Sequence, residues 1–125
     1  FLFADACCGA TQFDASFREL IQLTLDTPLE RIPVDTPLYQ LPIGYDIRQV
    51  RRRFPAPGQA VLTLTESVGE PILEGVKVDG RYVVVYSKYD LSCALERQAT
   101  TSCAGYLGED AAKIAVNIVL YGLFQ

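Results

Sequence analysis

Phe1-Leu2-Phe3-Ala4-Asp5-Ala6-Cys7-Cys8-Gly9 opens the chain, and the reading of this stretch decides the fold. Phe1, Leu2 and Phe3 are consecutive rather than alternating, which is the pattern of a strand buried on both faces. The next apolar residues, Phe13, Phe17, Leu20, Ile21 and Leu25, fall at helical spacing, with Asp14 as the expected N-cap. That helix should stop near Asp26, because Pro28 disfavours a helical conformation at Thr27. A buried strand feeding a helix through a short turn is the unit of an open α/β sheet, whose ligands bind beyond the carboxyl ends of the strands. A chain whose first residue already lies in such a strand is expected to be the remainder of a larger domain.

Further along, Ile72 to Val78 leads through Asp79-Gly80 into Arg81 to Ser87, a hairpin with a type I′ connection. Tyr82-Val83-Val84-Val85-Tyr86 is apolar on both faces, so this strand should be central. Ala60 to Thr65 alternates and reads as a half-exposed strand. Residues 88–108 read as irregular, with a helical turn around Leu91 to Arg97. A last helix is expected from about Glu109 to Leu123. Glu109 and Asp110 suit its positive N-terminal end, and Ala112, Ala115, Ile118, Val119 and Leu123 form its expected core face. Residues 26–59 hold six of the seven prolines and read as a long, mostly irregular surface excursion of the kind that contacts partners. The whole is one α/β domain over 1–125, three-layered, with its remaining strands upstream. An α+β sheet covered on one side is the competing arrangement.

Composition narrows the chemistry. The 125 residues are half hydrophobic and 21% charged, with a net charge of −4. That suits a single folded domain and offers no global attraction to nucleic acid or anionic lipid. Arg48 with Arg51-Arg52-Arg53 reads as a solvated, charge-balanced edge in a loop-like stretch. Ile114 to Phe124 is too short for a membrane span and carries Asn117, so it reads as a core helix. There is no histidine, which excludes Ser-His-Asp and Cys-His chemistry and imidazole zinc sites within this chain. Acid–base work would fall to carboxylates, Tyr, Lys or Cys.

Two loops leave the most buried strands: Asp5 to Gly9, and Ser87-Lys88-Tyr89-Asp90-Leu91-Ser92-Cys93. If the strands are parallel neighbours, both loops open on one sheet edge. Cys8 is a candidate nucleophile held by the Gly9 turn and activated by Lys88, and Cys7 is its alternative, against the plain reading of both as small core residues. Asp5 and Asp90 are candidate paired carboxylates. Their plainer roles are capping the amides of the Asp5 turn and starting a helical turn at Asp90. Gly9, Ser87, Lys88, Tyr89 and Ser92 are candidate ligand-binding residues. No metal site and no cofactor are expected, because adjacent Cys7 and Cys8, with Cys93 and Cys103 far away, lack the paired clips of structural zinc. A Cys93–Cys103 disulfide would close the irregular loop. It belongs to an oxidising compartment such as the cell envelope or periplasm.

Phe3-Ala4-Asp5-Ala6-Cys7-Cys8-Gly9, Phe13-Asp14 with Phe17-Arg18, and Leu29-Glu30-Arg31-Ile32-Pro33 with Asp35-Thr36-Pro37 resemble a bacterial family, domain of unknown function 4159. So do Asp79-Gly80-Arg81, Tyr86-Ser87 with Tyr89-Asp90-Leu91-Ser92, and Asn117-Ile118 with Leu120-Tyr121. The resemblance implies a flavodoxin-like, class I glutamine-amidotransferase-like open sheet, of which this chain is the C-terminal part. In that superfamily a cysteine after a strand is a nucleophile served by a histidine from a later strand. Here that strand ends Val85-Tyr86-Ser87-Lys88-Tyr89, and Thr36-Pro37 stands where the family has His-Pro. The expected function is therefore a non-catalytic binding or assembly domain, whose partner is another protein or the missing N-terminal part of the same domain. The alternative is a cysteine-dependent hydrolase or amidotransferase relative using Cys7 or Cys8.

Overall fold

The computed structural model describes residues 1–56 and 63–124. Among the described residues the fold is mixed α/β, with two sheets and three α-helices. In chain order these are β1 (Leu2–Asp5), α1 (Thr11–Leu25), β2 (Glu30–Arg31), β3 (Val50–Pro55), β4 (Leu64–Gly69) and β5 (Leu73–Val78). They continue as β6 (Arg81–Ser87), α2 (Ser92–Leu95), β7 (Gly105–Tyr106) and α3 (Gly108–Phe124). The larger sheet runs β1-β6-β5-β2 and the smaller one β4-β3-β7.

β6 is central, as its two apolar faces require. It pairs parallel to β1, from Leu2 opposite Val84 to Asp5 opposite Ser87, and antiparallel to β5. The hairpin turn is type I′, with positive φ at both Asp79 (52°) and Gly80 (81°). Val76 pairs with Val84 but Lys77 pairs with Tyr82, so Val83 is the extra residue of a bulge. The bulge re-aims Tyr82, and its side chain joins the cluster of Val85 and α3 rather than that of Val84.

Each face of the larger sheet carries its own hydrophobic cluster. Phe17 and Ile21 of α1 pack with Val76, Val84 and Tyr86. Ala111, Ile114, Ile118 and Tyr121 of α3 pack with Leu73, Tyr82 and Val85. The helix boundaries follow expectation closely, but two details do not. α1 begins at Thr11, with Ala10 at the cap position. Asp14 instead lies within the first turn, bonded to Arg18 and to the Tyr86 hydroxyl. The core face of α3 is rotated from the expected one: Ala111, Ile114, Asn117, Ile118 and Tyr121 are buried, while Val119 and Leu123 are exposed. This helix is apolar nearly all round, so periodicity alone could not choose the face.

The proline-rich stretch also departs from expectation. It is mostly irregular, yet Ile32, Leu38, Tyr39, Leu41, Ile47, Val50 and Phe54 all lie in the main core. Prolines break the periodicity that would have advertised these side chains. Asn117 organises the segment: its carbonyl oxygen accepts the Tyr45 N–H at 2.8 Å, and its amide donates to the Leu38 and Tyr45 carbonyls. A Cβ at Gly44 would run into that amide. Residues 60–62 of the expected 60–65 strand lie outside the described residues, and β4 begins at Leu64. The arginines lie on strand β3 and the turn before it rather than in a loop. Arg48 pairs with Asp46, Arg51 with Asp110 and Arg53 with Glu66. No helix among the described residues is long and apolar enough to cross a membrane.

A polar clasp fixes α1 to the sheet. Arg18 donates to both carboxylate oxygens of Glu74 (2.9 and 2.6 Å) and to Asp14. This forked geometry suits a guanidinium. Burial works to raise the Asp14 pKa, but hydrogen bonds from Arg18 and Tyr86 and the nearby positive charges outweigh it. They hold the carboxyl below its ordinary 3.8. A carboxyl depressed in the folded state stabilises above its unfolded pKa, and that contribution is lost as pH falls through the folded value. Asp14→Asn is therefore expected to melt below the parent protein at neutral pH. The gap in melting midpoint should close as pH drops below 3.8; a constant gap in calorimetric scans across that range would refute the linkage.

Candidate functional site

Because β1 and β6 are parallel, the loops after Asp5 and Ser87 open on the same sheet edge. The two loops are tied together there. Asp5 Oδ2 accepts the Leu91 N–H (2.8 Å), the Ser92 N–H (2.9 Å) and the Ser92 hydroxyl (3.0 Å). Asp5 thus caps the opposite loop rather than its own turn. Asp90 is fully buried and starts α2 as expected. Its Oδ1 accepts the N–H groups of Cys8 (3.1 Å) and Cys93 (3.2 Å), and its Oδ2 accepts that of Ala94 (3.0 Å). Both carboxylates are held by backbone amides of the opposite loop and of the α2 start.

The remaining loop residues are equally committed. The buried Ser87 hydroxyl donates to the Tyr89 carbonyl at 2.6 Å. The Tyr89 ring stacks on Phe54 of β3 at 4.0 Å between centroids. Lys88 is half-buried, and its charge is felt by Asp14. Gly9 takes a positive φ of 71°, and a Cβ there would press on Ala104 at 3.2 Å. A third segment enters here, beside which the sequence marked only Cys103. Residues 104–106 run beside Asp90, which donates its N–H to the Ala104 carbonyl and accepts the Tyr106 N–H.

Cys103, immediately before that third segment, reaches the Cys7–Gly9 turn. The disulfide joins Cys8 to Cys103, so the expected Cys93–Cys103 pairing is corrected. Cys8 is accordingly not a free nucleophile. Four cysteines allow three pairings and sequence cannot rank them; the contact of the Cys7–Gly9 turn with residues 103–105 decides. Cys7 is exposed and free, and Cys93 is half-buried and free. The sulfurs of Cys7, Cys8 and Cys93 and a carboxylate oxygen of Asp90 lie within 4.8 Å of one another. The Cys93 thiol is pushed up to about 12, first by its hydrogen bond with Cys7, then by burial and by Asp90. Such a thiol is protonated at neutral pH and is a poor nucleophile.

A second surface lies along the outer edge of the larger sheet. Among the described residues β1 is an edge strand, and beside it the apolar stripe of α1 is only partly covered. Leu20 is 55% and Leu23 76% exposed, although Phe17 and Ile21 are buried. A groove of about 430 Å³ runs between them, lined by Phe1, Leu2, Leu20, Ile21, Leu25 and Val84. The Phe1 ring lies over Gly122 of α3. On α3, Val119, Leu123 and Phe124 are also exposed.

Compared with known families, the chain is matched over residues 1–123 by the family model described as Domain of unknown function (DUF4159). No curated protein and no solved structure gives a significant match.

Proposed function

The chain belongs to the DUF4159 family, and we propose that it is a non-catalytic assembly domain, completed by a polypeptide strand laid along β1. The observation that carries this reading is the open β1 edge beside the uncovered apolar groove of α1. An apolar groove rimmed by a strand edge left unpaired among the described residues is the kind of surface that takes an added strand. The added strand supplies backbone partners to β1 and an apolar side chain to the groove, as in β-strand addition. Helices against both faces of the sheet support a three-layer, flavodoxin-like arrangement continuing beyond β1.

The closed state of the strand-end loops supports the same reading. An enzyme built on Cys7 or Cys8 needs an accessible, low-pKa thiol with a base. Here Cys8 is bonded, the Cys93 thiol is raised and Asp5 and Asp90 are held by amides.

A photo-reactive residue placed at position 20 tests the proposal in the protein's own cell, with position 79 at the hairpin tip as control. Cross-linking from 20 to an extended protein segment, absent from 79 and abolished by Leu23→Glu without a change in melting midpoint, is expected. Equal cross-linking from both positions would sink the assembly reading. Labelling of Cys7 or Cys93 at neutral pH faster than that of an unstructured cysteine peptide would favour the enzyme instead.

A further inference from the structure

We propose that, once the disulfide is reduced, the four-cysteine cluster binds one soft divalent metal ion of the zinc class through the thiolates of Cys7, Cys8, Cys93 and Cys103. Three of the four sulfurs already lie within 4.8 Å of one another, and the fourth is bonded to one of them. In a tetrahedral zinc site with bonds of about 2.3 Å, the sulfurs stand about 3.8 Å apart. Cys7, Cys8 and Cys93 thus stand within about 1 Å of that spacing, and opening the disulfide releases Cys8 together with the neighbouring Cys103 sulfur.

Linear spacing argues against this site, since Cys7 and Cys8 form no paired clip. The backbone removes the objection. Cys8 adopts a left-handed conformation (φ 51°) followed by Gly9 (φ 71°). This sharp turn leaves both sulfurs in one cluster although the residues are adjacent. The other two ligands come from the start of α2 and from the buried Cys103 just before β7.

Asp90 is the fourth member of the compact group, but both its oxygens accept backbone N–H groups, two of them from Cys8 and Cys93. It positions the ligand-bearing backbone, as outer-shell groups of metal sites do. The disulfide and the metal are alternatives. A dithiol reductant gives two electrons and two protons to the Cys8–Cys103 bond, yielding two thiols while the reductant closes to its own disulfide. Metal binding then displaces the thiol protons to solvent.

The test uses the full chain, reduced with a dithiol, freed of it without oxygen and titrated with Co²⁺. One cobalt per chain is expected, with intense thiolate-to-cobalt absorption and the visible bands of tetrahedral coordination, displaced by Zn²⁺. Cys7→Ser and Cys93→Ser should each weaken Co²⁺ binding by at least the roughly 10- to 100-fold that disturbing an outer shell costs. Cys7 is exposed, so its variant should keep the parent circular dichroism, and the disulfide form should not give these bands. The proposal is overturned if the reduced chain binds no cobalt or binds it octahedrally. It also fails if the disulfide form binds equally well, or if Cys7→Ser keeps the parent spectrum and affinity.

Discussion

Reduction of the Cys8–Cys103 bond in the absence of metal is expected to lower the free energy of unfolding by about 4–5 kcal/mol. The bond closes a loop of 95 residues, and in the chain-entropy model a cross-link of that span removes about this much freedom from the unfolded chain. A bond between Cys93 and Cys103, only ten residues apart, would be worth no more than about 3 kcal/mol in the same model. Urea unfolding with and without reductant therefore separates the two pairings by magnitude. Cys103→Ser should reproduce the effect of reductant and leave nothing further for reductant to remove. A drop that Cys93→Ser reproduces instead would show that the pairing is wrong. If the reduced cluster takes up zinc, added Zn²⁺ should return part of the loss, because a ligand held only by the folded state stabilises it by mass action.

The second large effect belongs to Asp90→Ala, expected to destabilise the fold by about 3–4 kcal/mol. Asp90 is fully buried and receives N–H groups from Cys8, Cys93 and Ala94. Truncation leaves these donors without a partner, at about 1–3 kcal/mol for each that water cannot reach. Asp90→Asn retains one acceptor oxygen and should fall between the parent and the alanine variant. Asp5→Ala should cost less, because Asp5 is only half-buried and water can replace it. Equilibrium unfolding of the three variants checks the order. If Asp90→Ala and Asp5→Ala were equally mild, Asp90 would not be the anchor of the three converging segments.

The contrast between these residues shows what was legible beforehand. Asp90 as the start of a helical turn, the Asp79-Gly80 turn and the end of α1 near Asp26 were readable, because each is decided by a few neighbouring residues. The core role of residues 32–54 was not, because prolines interrupt any helical or strand period there. The face of α3 was not either. With Val116, Val119 and Leu123 as apolar as Ile114 and Ile118, only the position of the sheet and of the 38–45 segment decided which side is covered.

The candidate site divides along the same line. From its residues alone the chain specifies a strand-to-helix unit with cysteines at its end, a central strand rich in valine, and a chemistry without imidazole. Membership in the family was also legible in its motifs. Which cysteines meet was a matter for the tertiary structure, as was the capture of Asp5 and Asp90 by backbone amides. So was the open edge at β1. These depend on the parallel register of β1 with β6 and on residues 103–105 returning beside Asp90. Contacts between segments so far apart are set by how the sheet is assembled, and no local preference of the chain encodes them.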